Sequence, residues 1–423
     1  MDADSASRDF AVDASKPGSR TAGAALKPLN LVVASDALTP PLTGIGRYAF
    51  ELVKRLQARP DIDELRFYSF GRWVEDPIDQ LDMGDHVRED SEAAKLSNTG
   101  RKSWRSTLSK IPWLVKAYQL AGPSINALRL QSVKGAVFHS PNYFVPRFPG
   151  PTISTTHDLS HMRYPEFHPE ARVNYMNAMF PKTLRTVSHM ITVSHSVRQQ
   201  VIEDLGWPED RVTAIGLGTD PCFMPRGTDV LSPRLAAYGL RAGGYSLFVG
   251  TIEGRKNVDR LLSAYEALPV AMREEWPLVL VGDTGWRSDQ THERIRRAEA
   301  AGWLRYLKFL PQGDLPYIYA GTRLFIYPSI YEGFGLPIAE AMSSGVPVIT
   351  SKVSSMPEVA GGAARLIDPL DVDELHQAIL ESLQDEDWRH QAIAAGLERA
   401  RDFSWDTCAD RTVEVYKLVT DRW

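Results

Sequence analysis

The first 28 residues show almost no apolar periodicity. Asp2, Asp4, Asp9 and Asp13 are mixed with Arg8, Lys16, Arg20 and Lys27, and such a stretch reads as a mobile leader. Ordered structure is expected to begin at Leu29-Asn30-Leu31-Val32-Val33-Ala34-Ser35, an apolar run of the length of a strand buried on both faces. A turn-rich stretch with Gly44 and Gly46 then leads into a helical pattern through Phe50, Leu52, Val53 and Leu56, ending before Pro60. The same succession of short apolar run, turn and helix recurs at Leu65–Phe70, Ala136–His139, Thr152–Thr155 and Met190–Val193. Gly216–Pro225 holds four Gly or Pro in ten residues and reads as an exit, with a variable connection to Gly244.

A second series opens at Tyr245–Gly250, with a helix from an N-capping Asn257 to Leu268. Further strands are expected at Leu278–Val281, Leu307–Phe309, Leu324–Tyr327 and Val346–Thr350. Two strand–helix series in one chain predict an α/β protein of two Rossmann-like domains, with ligands at the strand C-terminal ends facing the cleft between them. The expected division is a leader at 1–28, an N-terminal domain at 29–240 and a C-terminal domain at 241–403. A last helix at 404–423, capped by Ser404, is expected to pack back on the first domain and form part of a hinge.

The 423 residues suit two domains, and 43% hydrophobic with 24% charged residues is the balance of a globular chain. Cys222 and Cys408 are too few for a disulfide framework and are read as packing residues. No apolar run approaches the roughly 18 residues that cross a bilayer, and the leader lacks the apolar core of a secretory signal. A secreted mini-protein, an integral membrane protein and a fibrous protein are thereby excluded. The net charge of −5 conceals a segregation. Residues 93–157 contain no acid and nine bases, so the rest of the chain carries −5 − 9 = −14. A polarised surface of this kind faces an anionic partner.

The densest chemistry lies in Tyr327-Pro328-Ser329-Ile330-Tyr331-Glu332-Gly333-Phe334-Gly335-Leu336-Pro337-Ile338-Ala339-Glu340-Ala341-Met342. A strand ends near Tyr327 and a helix starts near Leu336, with Pro337 in its first turn. Gly333 and Gly335 open the loop backbone to a ligand. Glu332 and Glu340 bracket the helix start, where carboxylates accept from hydroxyls and the helix end favours phosphate oxygens. The plainer alternative is an acidic first turn that only complements the helix dipole.

With Gly345-Val346-Pro347-Val348-Ile349, this Glu-x7-Glu segment resembles the retaining glycosyltransferases of the GT-B fold, family 4. Thr43–Arg47, Thr156-His157-Asp158, Val193-Ser194-x-Ser196, Gly216-x-Gly218-Thr219-Asp220 with Phe223-x-Pro225, and Gly250-Thr251-x-Glu253-x-Arg255-Lys256-Asn257 match in the same order. The resemblance covers nearly the whole chain after the leader. It implies two domains facing across a deep cleft. It also implies that Glu332 and the backbone of Gly333, Phe334, Gly335 and Leu336 hold a donor sugar, and that Glu340 accepts from the ribose. Arg255 and Lys256 are implied to neutralise the diphosphate, Gly44 and Gly46 to cradle it, and His157 to sit beside the anomeric carbon. Thr251 stands where many members carry Arg, and Arg255 is expected to supply that charge. The phosphate motif is similar to that of mannosyltransferases, which implies GDP-mannose as donor, with a GDP-deoxyhexose or UDP-sugar as the alternative.

The implied acceptor is a glycan or lipid-linked glycan of a bacterial surface polysaccharide, such as an O-antigen. Hydrolysis by the two carboxylates leaves the cations unexplained, and a phosphorylase, an epimerase or a silent sugar-nucleotide scaffold fits less well. His157 and His161, with Asp158 between, admit a metal site. No third ligand in a recognisable motif accompanies them, so no metal or other cofactor is expected. His139 closes a strand at the cleft face, where a supporting or acceptor-side role competes with an ordinary loop histidine. Residues 101–118 mix Arg101, Lys102, Arg105, Lys110 and Lys116 with Trp104, Trp113 and Tyr118. This mixture suits an anionic membrane surface, ordinary basic helices being the alternative, and Pro112 interrupts any single long helix. No nucleic-acid-binding motif accompanies the charge. A cytoplasmic protein, peripheral on the inner face of the plasma membrane, is the expectation.

Overall fold

The computed structural model describes residues 28–39, 42, 44–79, 129–308, 310, 311 and 313–423. The expected leader up to residue 27 and the basic segment 101–118 lie outside the described residues.

Two sheets organise the chain. The first contains β1 (Leu29–Ala34), β2 (Ile62–Ser69), β3 (Arg72–Val74), β4 (Val137–Ser140), β5 (Thr152–Thr156), β6 (His189–Thr192) and β7 (Val212–Ala214), in spatial order β3-β2-β1-β4-β5-β6-β7. All pairings are parallel except β3 against β2. The second contains β8 (Ser246–Val249), β9 (Leu278–Val281), β10 (Leu304–Leu307), β11 (Leu324–Tyr327), β12 (Val348–Ser351) and β13 (Arg365–Ile367), in order β10-β9-β8-β11-β12-β13 and wholly parallel. The strand order reverses between β1 and β4 in one lobe and between β8 and β11 in the other, which is where α/β sheets open a crevice for ligands.

The two Rossmann-like lobes follow the expectation from the apolar runs, because strands covered on both faces must be apolar throughout. β11, for instance, is fully buried along Leu324–Tyr327. Short β3, β7 and β13 carry no comparable run and went unanticipated. β10 starts three residues earlier than expected, since Leu304 and Tyr306 are its buried positions.

The helix Trp405–Asp421 returns to the first lobe as expected, and Ser404 Oγ accepts from Thr407 N–H at its start. Its Lys417 Nζ pairs with Asp61 at 2.9 Å, Tyr416 Oη lies 2.7 Å from His139 Nδ1, and Arg55 reaches Asp406 at 2.5 Å. Gly218 admits this crossing: a Cβ there would stand 2.2 Å from the Trp405 backbone nitrogen. The helix Thr228–Ala236, before the expected boundary at 240, packs on the second lobe, where the side chain of Leu235 meets Gly321.

Candidate active site

The residues after β8 and β11 converge. β8 runs into a 3-10 turn, Gly254–Lys256, and β11 into the loop that carries Glu332. Glu332 Oε2 accepts from Arg255 Nη1 at 2.8 Å and Oε1 from Lys256 Nζ at 2.6 Å. Tyr327 Oη donates to the same Oε1 at 2.9 Å. Arg255 also pairs with Glu253 at 2.7 Å and donates to the Tyr331 carbonyl at 3.2 Å. The ammonium of Lys256 stands 4.9 Å from the centre of the Tyr327 ring.

Burial raises the carboxyl of Glu332, but Arg255 and Lys256 outweigh it and hold the group down at about 2. Burial and the neighbouring guanidinium push the Lys256 ammonium down, with Glu332 opposing them. Asp158 enters the same field from the first lobe: burial raises it, while Arg255 across the interface and Ser160 N–H at 2.9 Å hold it below the usual range.

Glu340 has the opposite character. It lies in the helix Leu336–Ser343, whose first turn contains Pro337 and whose preceding Gly335 has φ 108°. Burial raises its carboxyl, and the Tyr319 hydroxyl and then Arg47 of the first lobe lower it only partly. Both carboxylates are desolvated, but cations outweigh burial at Glu332 and not at Glu340, eight residues on.

The backbone of His157 meets the Glu332 loop, and its ring packs against Tyr48 and Tyr143. Its Nε2 lies 2.9 Å from the Pro141 carbonyl, an acceptor only, so Nε2 carries the proton and Nδ1 keeps its lone pair. Burial lowers its pKa, keeping the ring neutral. The His157 carbonyl sits so close to Gly333 that a Cβ there would be 1.8 Å from the oxygen. The missing side chain at Gly333 therefore permits a close approach between the lobes. Ser194 Oγ donates to the Gly333 carbonyl at 2.6 Å, Leu159 N–H donates to Tyr331 Oη at 2.9 Å, and Tyr331 Oη donates to Gln200 at 2.6 Å.

Phe334 is buried edge-on against Phe403, and its carbonyl accepts from Ser355. Leu336 opens its helix against the core. Gly46 is buried in the helix Gly44–Gln57, where a Cβ would meet the Ala37 carbonyl at 2.9 Å, whereas Gly44 is exposed with open space around it. Thr251 is half-buried against Gly282 and Gly285.

Three readings of single residues change. Asn257 precedes the helix Val258–Glu266 but makes no side-chain cap; it is left-handed at φ 62°, and its amide donates to the Pro328 and Pro369 carbonyls at 2.9 and 2.6 Å. That tie to the loop after β11 fixes the turn bearing Arg255 and Lys256. His139 is no loop histidine: it is fully buried, with its ring nitrogens on Tyr416 and Thr155. Cys222 is exposed; only Cys408 packs in the core. Tyr327, Tyr331 and Ser355 were not foreseen, since a buried tyrosine or serine beside a glycine loop carries no distinguishing sequence signal.

Among the described residues, no group of three or more His, Cys, Asp or Glu is placed to hold a metal ion. A cavity of about 450 Å³ also lies between the lobes, lined by Tyr164, Phe167, Glu166, Glu253, Asp259 and Arg260 among others. With three carboxylates against one guanidinium it does not suit a diphosphate.

Residues 42–222 match the family described as Glycosyltransferase Family 4, and residues 243–399 match Glycosyl transferases group 1. Over 391 residues, 92% of its length, the chain is 41% identical to the O-antigen chain mannosyltransferase B of Escherichia coli, which is covered in full. The chain belongs to glycosyltransferase family 4. This glycosyltransferase is also 30% identical over 289 residues, 65% of its own length and 35% of the other's, to the serotype-specific mannosyltransferase WbdA of Escherichia coli. Among solved structures it resembles Anabaena HepE, crystallised with UDP and glucose. The TM-score is 0.63 at 18% identity, covering 92% of this chain and 99% of that one, and the likeness shows the GT-B fold.

The buried histidines of the transferase give a prediction on stability. Burial lowers His139 to about 3 and both His168 and His189 to about 4, against 6.5 for the free side chain. Below pH 6.5 the unfolded chain takes up protons that the folded one refuses, so this contribution is intact above pH 6.5 and shrinks as pH falls. His139 alone should cost about 2 kcal/mol by pH 5. Thermal unfolding between pH 7.5 and 5 should show the decline, and His139→Gln should make it shallower by about a third, His168 and His189 supplying the rest. A melting temperature constant over that range would contradict neutral burial.

Proposed function

We propose that this glycosyltransferase moves mannose from GDP-mannose to a hydroxyl of a growing surface glycan, with the anomeric configuration kept. The observation that carries the reading is Glu332 held between Arg255 and Lys256 at the switch point of the second lobe. A sugar diphosphate divides this cluster naturally. The diphosphate takes the two cations, and the released carboxylate accepts from sugar hydroxyls. Glu340 is already desolvated and gains by accepting from the ribose. Neutral His157 offers Nδ1 to a sugar hydroxyl.

Cleavage of the glycosyl–diphosphate bond builds negative charge on the leaving oxygen, which the fixed cations stabilise without reorganisation. That oxygen takes the acceptor's proton on the same face of the sugar, so no separate base is required. The O-antigen chain mannosyltransferase relative supports mannose as the sugar and a surface glycan as acceptor.

Thermal shift against GDP-, UDP- and ADP-sugars tests the donor. GDP-mannose at about 100 times its dissociation constant should stabilise the fold by about 2.7 kcal/mol. A shift with a UDP-sugar alone would replace the guanine reading. Nucleotide release from GDP-mannose should rise on adding a glycan acceptor and persist in EDTA; binding without release would identify a silent scaffold. The basic segment 101–118 is proposed to rest on the anionic inner face of the plasma membrane. No described helix is long and apolar enough to cross a membrane. Equal flotation with neutral and anionic vesicles would refute the membrane reading.

A further inference from the structure

The helix His195–Leu205 belongs to the first lobe, and its N-terminus meets the second. The opening amides of a helix have no carbonyl one turn back to receive them. Val197 N–H is capped within its own lobe by Ser194 Oγ at 3.1 Å. The N–H groups of His195 and Ser196 instead donate, at 2.9 and 3.0 Å, to the two carboxylate oxygens of Glu358, in the helix Met356–Ala360 of the second lobe. A carboxylate on two amides at the positive end of a helix dipole is a charge-assisted cap.

Glu358 is rigidly joined to the loop that bears Glu332. Ser355, immediately before its helix, has its hydroxyl 3.0 Å from the Glu332 carbonyl and 2.7 Å from that of Phe334. Arg399 donates to the Glu358 and Val359 carbonyls at 2.7 and 3.2 Å. On the other side, Ser194 Oγ reaches the Gly333 carbonyl at 2.6 Å. One helix end in the first lobe therefore grips both the Glu332 loop and the helix that braces it. Separating the lobes leaves two amides and one carboxylate to water; closing them restores the cap.

We propose that Glu358 is a positioning residue for transfer: its cap on the first lobe's helix sets the lobe spacing at which His157 and Glu332 address the same sugar. The inference rests on the cleft being the donor site, but its structural half does not depend on which sugar is used.

The test uses the full chain with Glu358→Ala and Glu358→Gln, GDP-mannose and a glycan acceptor. Loss of a charged cap corresponds to roughly a tenfold fall in kcat/KM for the alanine variant. The amide, which keeps one acceptor oxygen without the charge, should recover part of it. Small-angle scattering of the ligand-free protein should give a larger radius of gyration for Glu358→Ala than for the parent. That readout holds whichever nucleotide-sugar proves to be the donor, so failure of the donor assignment is distinguishable from failure of this one. A lower melting temperature with parental kcat/KM would make Glu358 merely structural and overturn the proposal, as would an unchanged radius of gyration.

Discussion

Gly333→Ala should lower kcat/KM by about a hundredfold or more while leaving each lobe folded. The added Cβ would stand 1.8 Å from the His157 carbonyl oxygen, and both partners are backbone, so no side chain can swing aside. The lobes would have to separate by more than an ångström at the point where His157 meets the Glu332 loop. A misplacement of about 1 Å between reacting groups costs about a hundredfold. Circular dichroism should match the parent, and scattering should show an expanded molecule. Parental turnover would mean that the lobes need not meet at this contact during transfer.

Lys256→Ala should cost about 2–4 kcal/mol of transition-state stabilisation, a fall of two to three orders of magnitude in kcat. The ammonium is buried, bonds Glu332 at 2.6 Å and contacts Tyr327, so no other side chain takes its place. Glu332→Ala should fall comparably for another reason: the cations lose the anion that holds them in place, and the sugar loses an acceptor. Because the two residues form one pair, the double variant should lose less than the product of the single losses. Steady-state kinetics on the three proteins measures this coupling. Lys256→Ala at the parental rate would remove the diphosphate assignment, and multiplicative losses would mean that the pair does not act as a unit.

How far the sequence reaches is clear from particular residues. The continuous apolar runs at β1, β8, β9 and β11 follow from burial on both faces, so their positions were legible, and with them the two lobes. β3, β7 and β13, three residues each, are too short to show a run of their own and are fixed by pairing with the strands beside them. Spacing alone left Glu332, Arg255 and Lys256 open to plainer readings as a dipole-matching turn or a solvated helix entrance, and their roles and that of His157 came from the family resemblance.

Sequence alone therefore determined two strand–helix lobes, the loops that carry charge, and the family to which those loops belong. Tertiary structure decided which charges meet. It paired Glu332 with Arg255 and Lys256, left Glu340 without such partners, and gave Gly333 to the His157 carbonyl. It also brought Glu358 onto a helix end 162 residues earlier in the chain. The physical reason is range. Strand and helix patterns are set by burial among near neighbours, whereas an ion pair or a cap between lobes depends on the packing of the whole chain, which no local pattern records.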